Sequence, residues 1–167
     1  MSRRPPPELE GYAERARERC FICAIVSDDD ARHHVVYEDE EAIAFLNRFP
    51  TLAGYTIVAP REHREQVTGD FSADEYVALQ RVVYGVAEGV RAVLEPERVY
   101  ILSLGSQAAN AHVHWHVAPL PPGVPFEEQQ LEALSWARGI LDVTDAEMAA
   151  LADRLKPEIA ARLGPWP

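Results

Sequence analysis

The sequence predicts an α+β domain in which an antiparallel β-sheet of about five strands packs against one long helix. Short apolar stretches bounded by turn residues predict the strands, and a longer segment with apolar residues at helical spacing predicts the helix. The predicted strands are 34–37, 42–46, 55–59, 99–104 and 111–120, and the helix is 72–94. The long helix is therefore expected between the third and fourth strands.

The predicted helices carry recognisable start and stop signals. Ser72 and Glu75 form a capping-box pattern at the start of the long helix, and Pro96 follows its last turn. A second capping box at Thr144 predicts a helix near the C-terminal end of the chain. Alternating Glu and Arg residues between positions 8 and 19 predict a short solvated helix.

The chain length predicts one domain. A sequence of 167 residues lies within the usual range of about 100–200 residues for a single domain. We therefore expect one domain over 1–167. The Arg- and Pro-rich residues 1–10 are predicted to be flexible, and residues 126–164 are predicted to form a helical extension.

Composition and charge exclude several classes of protein. The formal net charge of −11 argues against general binding to nucleic acid or anionic membranes, which needs clustered positive charge. It does not exclude a small phosphate ligand, because a local site can be positive on an acidic protein. No run approaches the ~18 apolar residues of a membrane helix. The N-terminal residues lack an apolar signal core, so a cytoplasmic location is expected.

Residues 111–118 contain three of the six histidines of the chain, at every second position. In a strand, alternate side chains lie on the same face, so His112, His114 and His116 would face one small volume. A phosphate or a metal ion could occupy that volume. Two alternatives remain at this point, a polar strand face at the surface and a strand that only binds metal.

The histidines complete a series of motifs that resembles a known family. The alternating pattern at 112–118 is similar to the signature of the histidine triad (HIT) nucleotide hydrolases and transferases. A Cys-x-x-Cys segment at 20–23, a hairpin at 36–47 and a Pro-x-x-His strand at 53–63 resemble further landmarks of that family, in the same order. The resemblance covers roughly residues 20–120 and implies a HIT-like fold.

The resemblance implies covalent catalysis by histidine. His114 would attack the α-phosphorus of a nucleotide and form a nucleotidyl-imidazole intermediate. His116 would contact the phosphate oxygens and stabilise the charge that develops in the transition state. Water would then release a nucleoside monophosphate, whereas a phosphorylase would use inorganic phosphate.

The resemblance also implies a set of substrate contacts. The implied residues are Phe21, Ile22, Asn47, Tyr55, Ser106, Gln107 and Asn110. Asn47 would bind the ribose hydroxyls, the two apolar residues would contact the base, and the polar residues before His112 would contact phosphate. Gln107 lies one position further from His112 than in the commoner pattern of the family. Tyr55 stands where many relatives have a fourth histidine.

The resemblance further implies a zinc site formed by Cys20, Cys23, His63 and His112. Two cysteines and two histidines are a standard tetrahedral zinc set. The alternative for the cysteines is a buried or redox-active pair. His33 and His34 are predicted to be exposed and incidental.

The leading functional hypothesis is a nucleotidyl hydrolase or transferase. Its substrate would be a phosphoanhydride or phosphoramidate of a purine nucleotide, of the diadenosine polyphosphate or adenosine phosphoramidate type. The rival hypothesis is a zinc-stabilised nucleotide-binding module with little catalytic activity. The apolar stripe of the helix 72–94 is wider than a lone sheet would cover, which predicts a homodimer.

Overall fold

The computed structural model describes residues 2–28 and 33–164. The strands are β1 (Arg3–Arg4), β2 (Val35–Glu38), β3 (Ala42–Leu46), β4 (Thr56–Pro60), β5 (Arg98–Ser103), β6 (Trp115–Leu120) and β7 (Ile140–Leu141). The helices are α1 (Leu9–Glu18), α2 (Phe21–Val26), α3 (Ala73–Leu94), α4 (Leu131–Leu134) and α5 (Asp145–Arg162). Short 3-10 turns cover Phe126–Glu128 and Trp136–Arg138.

Strands β2 to β6 form one antiparallel sheet in the order β2-β3-β4-β6-β5. The long helix α3 connects β4 to β5, which are the third and fourth strands of this sheet. The α+β prediction is therefore confirmed. Both predicted capping boxes are also present, at Ser72 before α3 and at Thr144 before α5.

The two faces of the sheet pack against different helices. On one face, residues such as Val58 and Trp115 form the main core with α3 and α5. On the other face, Phe45 and Ile57 pack against α2. His116 of β6 lies opposite Ile57 of β4, so it occupies the α2 face of the sheet. The candidate site therefore sits on the face that α3 leaves open.

Helix α5 packs against α3 and against β2 on the same face of the sheet. Two glycines of α3 permit this close packing, because a Cβ atom at Gly89 would lie 2.5 Å from Ile159 Cγ1 and 3.0 Å from the Ile159 backbone nitrogen. Val86 and Val90 of α3 and Leu155 of α5 are fully buried in the same core. The apolar stripe that predicted a homodimer is thus largely covered within the chain, although Val77 and Tyr84 of α3 are exposed, and the homodimer stays a prediction.

The last strand begins later than its sequence predicts. The expected strand 111–120 is paired only from Trp115 onward. The backbone N–H of Val113 donates to the carbonyl of Arg64 at 2.7 Å, and not to a neighbouring strand. His112 and His114 therefore lie in the segment that leads into β6, and only His116 lies on the strand.

The N-terminal residues pair with the C-terminal part of the chain. Arg3 lies opposite Leu141, and Arg4 lies opposite Ile140, in a two-stranded sheet. The Arg3 guanidinium donates to the carbonyls of Gly139 at 2.7 Å and Thr51 at 2.9 Å. The prediction of flexible residues at 1–10 did not foresee these contacts, because the partners of Arg3 lie far away in sequence.

Across residues 2–28 and 33–164, no helix combines the length and the apolar character needed to cross a membrane.

The packing of α5 on α3 predicts different effects for two glycine substitutions. Gly89→Ala should lower the free energy of unfolding, because overpacking against the Ile159 backbone costs ~1–3 kcal/mol and exceeds the gain in helix propensity. Gly85→Ala is the matched control, since its Cβ meets only the side chain of Leu163, which can rotate. Urea titration measures both. A Gly89→Ala variant as stable as the wild type would contradict this packing.

Candidate active site and metal cluster

The histidines 112, 114 and 116 meet where the segment before β6 enters the sheet. His112 and His114 are only 1% and 2% exposed. The ring centroids of His114 and His116 are 4.8 Å apart. Two hydrogen bonds to backbone carbonyls fix the first two rings, His112 Nε2 to Pro60 O at 2.9 Å and His114 Nδ1 to His112 O at 2.7 Å.

The second of these bonds determines which nitrogen of His114 can react. A carbonyl oxygen only accepts hydrogen bonds, so Nδ1 of His114 must carry the proton. Burial also lowers the pKa of His114 below its usual value. At neutral pH the ring is therefore uncharged, and its Nε2 carries a free lone pair. This is the state that a nucleophilic imidazole requires.

Neighbouring residues hold the His114 segment closely. The Ser103 hydroxyl donates to the backbone carbonyl of His114 at 2.7 Å. Gly105 lies in the left-handed region at φ +148°, and a Cβ there would lie 2.6 Å from the Asn110 carbonyl and 3.3 Å from His114 Cε1. A side chain at position 105 would therefore push against both the loop and the histidine ring.

His116 has polar atoms that the described chain does not satisfy. Neither of its buried ring nitrogens meets hydrogen-bond geometry with a partner among residues 2–28 and 33–164, although the ring has a weak interaction with the backbone of Leu104. Burial, together with the neighbouring His114, lowers the pKa of His116 to about 3. Buried polar groups normally have hydrogen-bond partners, so an imidazole without a well-formed hydrogen bond at a cleft wall indicates a place where a polar ligand completes the bonding.

Tyr55 lies beside His116 at the start of β4. The two ring centroids are 5.6 Å apart in an edge-to-face arrangement. Burial raises the pKa of Tyr55 to about 12. The hydroxyl therefore remains protonated at neutral pH and can donate or accept a hydrogen bond, but it cannot transfer a proton as a fourth histidine would.

A cleft of about 800 Å³ opens in front of His114 and His116. Three arginines line it, namely Arg15, Arg19 and Arg48, and none of the described residues that line it is acidic. The whole chain has 27 acidic and 16 basic residues, so this local excess of positive charge is opposite in sign to the protein as a whole. The cleft is suited to an anionic ligand.

An aromatic pocket forms one part of the cleft. The ring of Phe21 lies 6.3 Å from that of His114 and 6.2 Å from that of Phe45. His33 stacks on Phe21 at an interplanar angle of 27° and lies 5.6 Å from the Phe45 ring. Flat apolar surfaces of this kind accept a planar ring. The prediction that His33 is exposed and incidental was wrong, because the hairpin β2–β3 brings it to the pocket.

His34 was also predicted to be incidental, and it lies on the other side of the sheet. Its Nε2 contacts a carboxylate oxygen of Asp145 at 3.0 Å, at the first residue of α5. It does not line the cleft.

The structure brings only some of the predicted substrate contacts into the cleft. Phe21, Asn47, Tyr55 and Asn110 line it together with His114 and His116. The Asn47 side-chain oxygen accepts from the Phe49 N–H at 2.9 Å, and the amide of Asn110 bonds to the Tyr12 hydroxyl at 3.1 Å.

Three predicted substrate contacts lie elsewhere. Ile22 is fully buried in the core under α2, because its neighbour Phe21 takes the cleft side of that helix. The Ser106 hydroxyl accepts from the Ala108 N–H at 3.2 Å, in a turn outside the main cleft. Gln107 donates to the carboxylate of Glu65, so its side chain points toward the predicted metal ligands.

Cys20, Cys23, His63 and His112 form a compact cluster. Their ligand atoms all lie within 4.8 Å of one another. Nδ1 of His112 is 3.4 Å from Cys20 Sγ and 3.6 Å from Cys23 Sγ, and Nδ1 of His63 is 3.2 Å from Cys23 Sγ. Ligands at ~2.0–2.3 Å from a tetrahedral metal ion are separated by about these distances. The four residues therefore fit a metal ion.

The outer nitrogens of both cluster histidines have partners. His63 Nε2 contacts Glu65 at 3.2 Å, and Glu65 in turn accepts from Gln107. His112 Nε2 bonds to the Pro60 carbonyl. Carboxylates and carbonyls in this position orient metal-ligating imidazoles, so the arrangement around the cluster matches that of known metal sites.

Comparisons with known proteins identify the family of this chain. A model of the HIT domain matches residues 29–122. The chain belongs to the HIT family. A HIT-like protein of Saccharolobus solfataricus is 32% identical to it over 124 residues, which are 68% of this HIT protein and 88% of the relative.

Solved structures share the fold of this HIT protein. A hypothetical histidine triad nucleotide-binding protein from Sulfolobus tokodaii has a TM-score of 0.69 at 22% identity, over 89% of this chain and 100% of the other. A Zn-bound histidine triad family protein from Mycobacterium smegmatis has a TM-score of 0.65 at 23% identity, over 87% of this chain and 96% of the other.

Sequence reasoning missed part of the cleft wall. Leu9, Tyr12 and Arg15 of α1 line the cleft, as do Leu134 and Trp136 from the C-terminal extension. The helix predicted as solvated therefore has one face on the site. The sequence of this helix contained a signal for such a face, because Tyr12 and Arg15 are three residues apart on a helix and must share one side of it.

The cluster predicts about one divalent metal ion per purified chain. Cys20→Ser should lose the ion and lower the free energy of unfolding, because the binding energy of a structural metal site contributes to folding. Ser27→Ala is the control at the end of the same helix, since its hydroxyl donates to the backbone carbonyls of Cys23 and Ala24 and it is not one of the four cluster residues. Elemental analysis and thermal unfolding measure both effects. Metal-free wild type, purified without chelators, would contradict the assignment.

Proposed function

We propose that this HIT protein is a nucleotidyl hydrolase or transferase that cleaves a phosphoanhydride or phosphoramidate of a purine nucleotide. The observation that carries the proposal is the uncharged His114, whose Nδ1 is bonded to a carbonyl and whose Nε2 is left with a lone pair beside an anion-binding cleft. In this proposal Nε2 is the nucleophile.

The proposed reaction has two displacements. First, Nε2 of His114 forms a bond to the α-phosphorus while the bond to the leaving group breaks, and the leaving group takes up a proton from solvent. Water then attacks the phosphorus of the nucleotidyl-histidine and gives up a proton to solvent, and nucleoside monophosphate leaves as Nε2 recovers its lone pair. A covalent intermediate divides one difficult step into two easier ones.

The other cleft residues have roles in binding and charge stabilisation. His116 donates one ring N–H to a phosphate oxygen, which satisfies a group that has no well-formed hydrogen bond among the described residues. Arg15 and Arg48 of the cleft balance the remaining phosphate charge, because no acidic residue among the described lining residues competes with the ligand. The purine base enters the pocket of Phe21, His33 and Phe45, and Asn47 binds the ribose.

Zinc is the metal proposed for the cluster. The donor set of two thiolates and two imidazoles is the usual choice of zinc. The Mycobacterium smegmatis protein of the same fold is described as Zn-bound. The ion would have a structural role, because its charge would stabilise the two thiolates and it would be held by Cys20, Cys23, His63 and His112. The homodimer and the cytoplasmic location stay predictions.

Tyr55 favours a second candidate function, a nucleotide-binding module with little turnover. The family often has a histidine at this position, and a tyrosine whose pKa is raised to about 12 cannot shuttle protons near neutral pH. A single-turnover assay with labelled diadenosine tetraphosphate separates the two functions. Release of labelled nucleotide supports the enzyme, and binding without release supports the module.

Replacing the nucleophile tests the proposal. His114→Asn should reduce turnover by at least ~10³, or about 4 kcal/mol of transition-state stabilisation, and should leave nucleotide binding nearly intact. His34→Asn is the control, because this histidine contacts Asp145 away from the cleft, and its turnover should stay near that of the wild type. Steady-state kinetics and calorimetric binding measure the two properties. Near-full activity in His114→Asn would place the chemistry elsewhere.

Tyr55→Phe tests whether the tyrosine hydroxyl is accessory. A neutral hydrogen bond contributes ~0.5–1.5 kcal/mol, so the variant should lose roughly tenfold or less in turnover. The ring and its edge contact with His116 are retained in this variant, so the fold is expected to be unchanged. A loss of several hundredfold would mean that the hydroxyl takes part directly in the chemistry.

A further inference from the structure

The loop between β4 and α3 holds the segment that contains His112 and His114. The backbone carbonyl of Arg64 in this loop accepts the N–H of Val113 at 2.7 Å, and Val113 lies between the two histidines. The pairing of β6 with its neighbouring strands begins only at Trp115, after this segment. The carbonyl of Arg64 therefore provides a hydrogen bond of the kind that a paired strand provides further along.

The side chain of Arg64 fixes the loop that supplies this carbonyl. Its guanidinium donates to the carboxylate of Glu62 at 3.0 and 2.7 Å, to that of Glu75 in α3 at 2.6 Å and to the backbone carbonyl of Asp70 at 2.9 Å. The side chain is only 15% exposed. Arginine suits such a position, because its rigid planar group can serve several acceptors at once.

Asp70 and Phe71 connect these contacts to the rest of the site. The Asp70 carboxylate accepts the backbone N–H groups of the two residues after Arg64, at 2.8 Å each, so the loop closes on itself. The guanidinium of Arg64 lies 4.6 Å from the ring centroid of Phe71, and that ring lies 6.4 Å from the ring of Trp115. Trp115 is buried and directly follows His114 in the chain. The loop is thus anchored on both sides of the proposed nucleophile.

Arg64 itself touches neither the cleft nor the metal cluster. It does not line the cleft, and it is not one of the four cluster residues. Its carboxylate partners Glu62 and Glu75 are 71% and 46% exposed, and exposed ion pairs contribute little to the free energy of unfolding. Removing the guanidinium should therefore loosen the loop without unfolding the protein.

We propose that Arg64 is a positioning residue for His114. The inference rests on the proposed function and assigns the placement of the nucleophile to a residue outside the cleft. The guanidinium contacts hold the loop, the carbonyl of Arg64 holds the N–H of Val113, and His114 is kept where its Nε2 reaches the α-phosphorus. A misplacement of about 1 Å in a reacting group can cost roughly 100-fold in rate, so a small loosening of the loop has a large effect.

Kinetics of Arg64 variants test the proposal. Arg64→Gln should lower kcat for diadenosine tetraphosphate roughly ten- to hundredfold and leave the dissociation constant of AMP within about twofold, because no cleft residue changes. Arg64→Lys should recover part of the loss, since lysine keeps the charge but lacks the planar fork. Arg91→Gln is the matched control, because it removes a guanidinium that contacts Glu88 within α3, and its kcat should equal that of the wild type. An unchanged kcat in Arg64→Gln, or a loss only in AMP affinity, would overturn the proposal.

Amide hydrogen exchange separates positioning from a general loss of stability. In Arg64→Gln the amide of Val113 should exchange at least about tenfold faster than in the wild type, whereas that of Val117, inside the β6 pairing, should be unchanged. Equal acceleration at both amides would show a merely structural role and overturn the proposal. Loss of the metal ion from Arg64→Gln, measured by elemental analysis, would also overturn it, because the effect would then pass through the cluster.

The exchange measurement does not depend on turnover, so it keeps this proposal separate from the proposed function. If the wild type cleaves neither diadenosine tetraphosphate nor adenosine phosphoramidate, the proposed function fails. The exchange rate of Val113 then decides alone whether Arg64 positions the His114 segment. Faster exchange confined to Val113 would support the role of Arg64, and unchanged exchange would reject it.

Discussion

The hydrogen bond from Nδ1 of His114 to the carbonyl of His112 is the constraint on which the site depends. It is 2.7 Å long and links the metal cluster to the proposed nucleophile. The ring of His112 belongs to the cluster, and the carbonyl of His112 orients the ring of His114. The segment gains no support from strand pairing. It is held instead by the Val113 bond to Arg64 and the Ser103 bond to the His114 carbonyl.

The sequence predicted the fold through local patterns. Capping boxes and helical periodicity located α3 and α5, and turn residues separated the strands of the sheet. Features that depend on distant contacts were not predictable. The pairing of Arg3 with Leu141 and the packing of Gly89 against Ile159 join residues far apart in sequence, and no local pattern identifies such partners.

The metal cluster of the candidate site was predicted from the resemblance to the HIT family, which supplied residues that are far apart in sequence. The cysteines and histidines of the metal cluster come together as the motifs implied, whereas Gln107 turns toward Glu65. A loop residue can reach several partners, so a shift of one position along the chain changes its contact. The cleft contacts of Tyr12 and Trp136 could not be predicted, because they require the two ends of the chain to meet over the histidines.

The position of the nucleotidyl group on the trapped intermediate tests the account most directly. Nδ1 of His114 is committed to a carbonyl, so rapid quenching of the wild type with a slow substrate should trap an acid-labile adduct on Nε2 of this residue. Peptide mass spectrometry identifies the residue, and phosphorus-31 NMR of enzyme with nitrogen-15 histidine identifies the nitrogen. An adduct on Nδ1, on another residue, or on none during active turnover would contradict the account.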